Sequence, residues 1–391
     1  MIYLFVLFIL LIGVFFDKKK PTTVIKTWWW LEFVILVLLL GFRYNVGGDT
    51  LGYNYDYPTN PTLNDLIKSG FYSETRQPLW LIMQALCKEI SPDFYFFQFV
   101  HAIVVNLVFF WFFKKYCQRP FLMVVFYYLM AFAYFNMETM RQTLAVCCFL
   151  LAVPSLLEKR YVTYAIWAIV AFGFHAAGAL MILIPPVYGS LTKKYIIFTS
   201  LIIIGVFIFM ARTQMLENIF QFINISALLY LFDTYSDNYG NMNSVIYDLI
   251  FKFSIPFLFL ITHRNRSKFY TGLTSLYVIS LGMGATFTFF WRITDFFVIP
   301  FYVVLINEAD SILISRKFRM SIPNMATILV LVMTIGARWL YYNTDYSESR
   351  GLPNAHFYDR YLPYHSIFDP VDESVRETIY WGDDGAVLHR N

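Results

Sequence analysis

Charge is scarce in this chain. Asp, Glu, Lys and Arg make up 14% of its 391 residues, where roughly 25% is usual for a soluble protein. A water-exposed surface of ordinary size cannot be built from so little, which excludes both a soluble enzyme and a disordered chain. Cysteine is scarce too. Cys87, Cys117, Cys147 and Cys148 fall in separate zones or within one helix, which suits neither a disulfide framework nor a metal knuckle. The chain has no periodic repeat, no low-complexity tract and no glycine-rich phosphate loop, and no nucleic-acid partner is expected.

Apolar residues are abundant: 58% are hydrophobic and 20% aromatic, with a mean hydropathy of +0.55. They run continuously rather than in alternation, the pattern of helices that satisfy their own backbone hydrogen bonds in hydrocarbon. Apolar segments fall at 1–16, 28–42, 94–113, 121–136, 141–157, 161–174, 176–191, 195–210, 245–262, 269–289, 291–309 and 321–341. The expected fold is all-α, a polytopic transmembrane helical bundle of about 12 membrane passes. Several segments fall short of the roughly 17–25 residues of a full span, so some passes are expected to be short or re-entrant. No small-residue cleavage pattern follows the first segment, which is therefore expected to be retained. Residues 1–345 read as one membrane domain and 346–391 as a polar extracytoplasmic tail.

The placement of charge sets an orientation. More than half of the 30 basic residues lie in short loops between alternate segments: Lys18 to Lys20 with Lys26, Lys114–Lys115 with Arg119, Lys159–Arg160, Lys193–Lys194, Arg264 with Arg266 and Lys268, and Arg316–Lys317 with Arg319. The positive-inside rule puts these loops in the cytoplasm. Both termini and the long loops 43–93 and 211–244 then face the other side, the second of them expected to carry an interfacial helix.

The remaining polar residues gather on that outer face. Arg43, Tyr44, Gly47, Gly48, Asp49 and Tyr53 form a compact knot at the end of an apolar helix, where an oxyanion can be held. The plainer alternative is an interfacial arginine anchoring the helix end beside a tyrosine belt. Helical spacing around residues 138–142 puts Glu138, Arg141 and Gln142 on one face, with a neutralised ion pair as the plainer reading. His175 tips a hairpin of two short helices at membrane depth, where an ionisable group is costly and usually functional. Arg292 and Asp295 stand one turn apart at the outer end of a span, Glu74 and Arg76 precede an amphipathic stretch at 79–90, and Arg338 marks the outer end of the last span. Arginines fork onto phosphate oxygens, and tyrosine faces suit the apolar sides of sugar rings. Together they read as a receptor for a glycosylated diphosphate at a membrane surface.

These residues resemble the EpsG family, which belongs with the Wzy-like polysaccharide polymerases. The matching pieces are Gly41-Phe42-Arg43-Tyr44 through Gly47-Gly48-Asp49 and Tyr53, Glu74 to Pro78, Met140-Arg141-Gln142 with Leu144-Ala145, Phe174-His175, Arg292 with Phe296-Phe297, and Leu362-Pro363-Tyr364. The resemblance implies a membrane glycosyltransferase of the GT-C class that joins oligosaccharide repeat units carried on undecaprenyl diphosphate, serving as both donor and acceptor, at the outer leaflet of the bacterial inner membrane. Its products are O-antigen, capsule or exopolysaccharide, and its neighbours in the lipid bilayer include a chain-length regulator and a flippase. In that scheme Arg141, Arg292 and Arg43 hold the diphosphate and His175 activates the acceptor hydroxyl. Tyr44, Asp49, Tyr53, Glu74, Arg76, Glu138, Gln142, Asp295 and Arg338 complete the substrate site. The scheme calls for no metal and no cofactor. An O-antigen ligase, a lipid-linked oligosaccharide flippase and a non-catalytic assembly partner are the competing readings.

Overall fold

The computed structural model of the protein describes residues 1–71, 76–190, 195–213, 215, 218, 242–263, 267–286, 290–314, 321–345 and 355–381. It is all-helical: no strand occurs among the described residues, where β-pairing is limited to isolated bridges such as Arg43 with Ser366. In chain order the helices are α1 (Ile2–Val14), α2 (Thr23–Gly41), α3 (Thr50–Asp56), α4 (Leu63–Lys68), α5 (Pro78–Ile90), α6 (Phe94–Tyr116), α7 (Pro120–Met130), α8 (Met140–Leu157), α9 (Tyr161–Phe174), α10 (Ile184–Ser190) and α11 (Ile196–Arg212). They continue as α12 (Met242–Asp248), α13 (Ser254–His263), α14 (Lys268–Thr286), α15 (Trp291–Ile314), α16 (Ile322–Tyr342) and α17 (Ser374–Trp381).

Helical turns occupy the described part of each apolar segment read from the sequence. Among the described residues, five helical stretches are long and apolar enough to cross a membrane: Thr23–Gly41, Phe94–Tyr116, Met140–Leu157, Val245–His263 and Ile322–Tyr342. Their surfaces carry exposed apolar side chains, such as Ile322, Met325 and Val332 on α16, a face that lipid tolerates and water does not. The protein is a helical membrane protein. The expected interfacial helix of loop 211–244 falls almost wholly outside the described residues.

The chain forms two compact units, one of residues 1–151, 169–178 and 333–391, the other of residues 152–168 and 179–332. Two ends can be told apart in the first unit. At one end, Asp17 accepts from the Phe121 and Leu122 backbone N–H groups at 3.1 and 3.0 Å, which satisfies the open first turn of α7. The lysine run 18–20 and Arg119 therefore share that end. At the other end, the Tyr3 hydroxyl donates to the Tyr361 carbonyl at 3.2 Å, so the start of α1 meets the C-terminal tail. Between them the interior is aromatic, with Trp29 and Phe110 at 4.8 Å and Phe109 and Tyr127 at 5.2 Å between ring centroids.

The segment 121–136 does not continue as one helix. α7 stops at Met130, and a π-helical turn spans Tyr134–Glu138. Asn136 holds this break from inside: its amide donates to the Phe132 carbonyl at 2.8 Å and to the Tyr127 hydroxyl at 2.6 Å, and its oxygen accepts from Asn106 at 3.3 Å. A buried amide satisfied on both sides offers the backbone an alternative to continued helix.

The second unit packs α14 against α11 and α15 around Ile204, Phe253, Leu260, Val278 and Leu281. It also contains a buried pair, His263 and Glu308 at 3.6 Å.

Candidate functional site

The knot that follows α2 is built around Arg43, which is 1% exposed. Its guanidinium donates to the carbonyls of Leu40 at 2.6 Å, Val46 at 3.0 Å and Asn136 at 3.1 Å, and to the Thr50 hydroxyl at 3.5 Å. It thus satisfies a carbonyl in the last turn of α2, which has no partner within the helix, and ties the loop to the π-turn. Burial pulls its pKa down to about 10, still cationic at neutral pH. The expected grip of Arg43 on a diphosphate gives way to a bracing role, because the side chain is buried and most of its donors are directed at the protein.

Glu138 does not pair with Arg141 as helical spacing suggests. It sits in the π-turn rather than in α8, so the one-turn relation to Arg141 and Gln142 is lost. Its carboxylate accepts from the Gly48 N–H at 2.8 Å, the Arg360 guanidinium at 3.1 Å and the Tyr361 hydroxyl. Burial raises the Tyr361 phenol well above its usual range, which keeps it a donor. Gly47 takes φ +117°, open to glycine alone without strain. A side chain on Gly48 would meet both Glu138 and Arg360.

The tail, whose role the sequence left unassigned, is therefore part of this end of the first unit. Gly47 N–H donates to the Arg360 carbonyl, Tyr44 N–H to the His365 carbonyl and Ile367 N–H to the Phe42 carbonyl, each at 2.9 Å. Arg376 donates to the Asn45 carbonyl at 2.9 Å and the Pro363 carbonyl at 2.7 Å. Tyr44 stacks on Tyr95 at 5.4 Å with Asp372 beside its hydroxyl.

Beside this frame lies a cluster of partly exposed polar groups from four distant segments. Arg141, in the first turn of α8, donates to Gln77 Oε1 at 3.4 Å and to the Tyr53 hydroxyl. Arg76 pairs with Asp56 at 2.8 Å, with 30% and 39% of the two side chains exposed, so the pair is open to a ligand. Burial raises the Tyr53 phenol, Arg141 and Arg76 pull it down, and Asp49 pushes it up. Tyr380 shares these neighbours: burial, with Asp49, Tyr53 and Asp56, pushes it up to about 12 against the pull of Arg76. Asp49 occupies the N-cap position of α3 yet makes no capping bond with its side chain. Two arginines, two carboxylates, an amide and two phenols thus face one another, a set that can hold a phosphate and accept a proton.

The other expected residues are placed differently. Gln142 is buried at 2% exposure. Arg338 lies with its guanidinium over the rings of Tyr341, Tyr342 and Tyr134 at 5.2–5.7 Å, a cation–π setting that anchors the end of α16. His175 stands half-buried at the junction of α9 with a 3₁₀ helix, Ala176–Leu183. Its Nδ1 accepts from the Ala177 N–H at 3.1 Å, so a neutral ring carries its proton on Nε2 and acts as a donor there. Two residues earlier, Gly173 packs against Leu79 in the first turn of α5, close in sequence to Arg76 and Gln77. Arg292 and Asp295 lie in the first turns of α15, in the second unit, with Asp295 buried. Glu74 lies outside the described residues.

The model of the EpsG family matches residues 26–366, the greater part of the chain. The chain belongs to the EpsG family. No curated protein and no solved structure matches it. Membership makes it a membrane protein of polysaccharide polymerisation, with a glycosyltransferase-type activity. Arg43, Glu138, Arg141 and Arg360 all lie inside the matched stretch; helix α17, with Tyr380 and Trp381, lies beyond it. Sequence reasoning did not single out Arg360, Tyr361, Tyr380 or Trp381, and reached Gln77 only as part of the Glu74 to Pro78 piece. Only the Leu362-Pro363-Tyr364 piece hinted that the tail joins the site.

Proposed function

We propose that this EpsG-family protein is a polysaccharide polymerase of GT-C type that transfers a growing glycan from undecaprenyl diphosphate to a second lipid-linked repeat unit. It works at the outer leaflet of the bacterial inner membrane, with both termini on that side, alongside a flippase that supplies repeat units and a chain-length regulator. The observation that carries the reading is the convergence of Arg76 and Arg141 on Tyr53, with Gln77 and Asp49 beside them. Two guanidiniums at a membrane surface suit a diphosphate, and arginine keeps its charge at any working pH.

A diphosphate leaves readily, so catalysis needs charge stabilisation at the departing oxygens and a base on the attacking hydroxyl. Arg76 and Arg141 supply the first. Asp49 is assigned the second, because its carboxylate stands beside Tyr53 and Tyr380 within this cluster. His175 donates a hydrogen bond to substrate oxygen. Arg292 and Asp295, argued from their place in the sequence alone, are retained as a further substrate-binding pair.

The test is purified protein given undecaprenyl-diphosphate-linked repeat units. A ladder of chain lengths from wild type, lost in Arg141→Ala and in Arg292→Ala, is the expected result. Translocation without a ladder would instead make the protein a flippase.

A further inference from the structure

The last helix brings aromatic side chains to the rim of the cluster around Arg76. Trp381, at the end of α17, meets Tyr55 of α3 at 5.5 Å with ring planes 73° apart, and meets Tyr380 at 4.5 Å with planes perpendicular. Perpendicular planes make a corner rather than a stack. Tyr55 is 56% exposed, and its neighbour Asp56 holds Arg76 in the half-open ion pair already described. α17 is seated closely, because the Tyr380 hydroxyl lies against Gly52, where a side chain would collide with it. Apolar ring faces next to a carboxylate and a guanidinium are the elements that recognise a pyranose: C–H faces stack on aromatics, and hydroxyls bond the charged groups.

We propose that Tyr55, Tyr380 and Trp381, with the Asp56–Arg76 pair, form a sugar subsite that selects the repeat unit's glycan beside the diphosphate. This rests on the polymerase reading above. The position of α17 in the sequence agrees with a selective role: the family match ends at residue 366 and α17 begins at Ser374. Tyr55, Asp56 and Arg76 lie inside the matched stretch, and Tyr380 and Trp381 add to them from beyond it.

The experiment uses the full-length protein in nanodiscs, with lipid-linked repeat unit extracted from a polymerase-deficient host strain. Trp381→Ala and Tyr55→Ala are expected to raise KM for that substrate about tenfold, more than they lower kcat. Trp381→Phe, which keeps a ring, should recover most of the loss. Binding of undecaprenyl diphosphate alone should be unchanged in these variants and lost in Arg141→Ala. An unchanged KM overturns the subsite, and so does an equal loss of undecaprenyl diphosphate binding. Saturation-transfer NMR with the free oligosaccharide, released from its carrier by mild acid, separates this proposal from the polymerase reading. Contact in wild type that disappears in Trp381→Ala upholds the subsite even where no ladder forms. Absence of contact in wild type overturns it even where a ladder does form.

Discussion

The carboxylate of Glu138 accepts from the guanidinium of Arg360 at 3.1 Å across 222 positions of sequence. It also accepts from the Gly48 N–H and the Tyr361 hydroxyl, so one side chain joins the π-turn, the first polar loop and the tail. Asp49 follows Gly48 directly, and Arg141 lies three residues beyond Glu138. The junction therefore positions residues from two sides of the proposed diphosphate site without touching substrate itself.

Removing one partner of a largely buried pair leaves the other without compensation, at a cost of roughly 3 kcal/mol. Glu138→Ala and Arg360→Ala should each lower the thermal midpoint of the purified protein and expose the tail to limited proteolysis. In Glu138→Ala/Arg360→Ala the losses should fall well short of additive, the mark of a direct pair.

Gly48→Ala should resemble Glu138→Ala. The added methyl meets Glu138 and Arg360, so the junction opens for a steric reason. Combining Gly48→Ala with Glu138→Ala should cost little beyond the worse single variant, as thermal unfolding would show.

Arg43 and Arg141 should separate by phenotype. Arg43→Ala leaves the Leu40, Val46 and Asn136 carbonyls without their donor in a buried site, a loss of about 3 kcal/mol. Its effect on polymer yield should follow the amount of folded protein. Arg141→Ala should fold normally by thermal unfolding and yield only single-repeat product. Normal thermal stability in Arg43→Ala would contradict the bracing role.

Much of the helical layout is legible in the sequence, because continuous apolar runs have one solution in lipid. The site is legible by composition more than by pairing. Arg76, Arg141, Tyr53 and Asp49 stand out as polar residues in a chain with few, and the fold brings them together. Arg43 also stands out, but an arginine just past a helix end can face either phosphate or the helix's own carbonyls, and only the fold decides. The partner of Glu138 lies far outside the reach of helical spacing. The tail was opaque because its bonds join groups hundreds of positions apart, and many of them engage backbone atoms, as from Tyr44 to His365, from Gly47 to Arg360 and from Arg376 to Asn45, which leave no trace in residue type.

Alkaline pH should release the tail. Burial raises the Tyr364 and Tyr380 phenols from 10.0 to about 12, so the folded state holds these protons more tightly than the unfolded one. Their contribution is complete below pH 10 and lost as pH rises from there to about 12. Hydrogen exchange of residues 355–381 across that range should show protection falling, and the fall should be smaller in Tyr380→Phe. Protection independent of pH would contradict the burial of these phenols.

The central claim, that Arg76 and Arg141 hold the diphosphate of a lipid-linked glycan for polymerisation, is tested most directly by one binding measurement. Titration calorimetry of undecaprenyl diphosphate against the nanodisc-embedded protein should show saturable binding to wild type. In Arg76→Ala and Arg141→Ala, with thermal stability intact, binding should be weakened by a factor on the order of 10 or more, as for loss of a charge-assisted bond. Equal affinity in wild type and both variants would contradict the account.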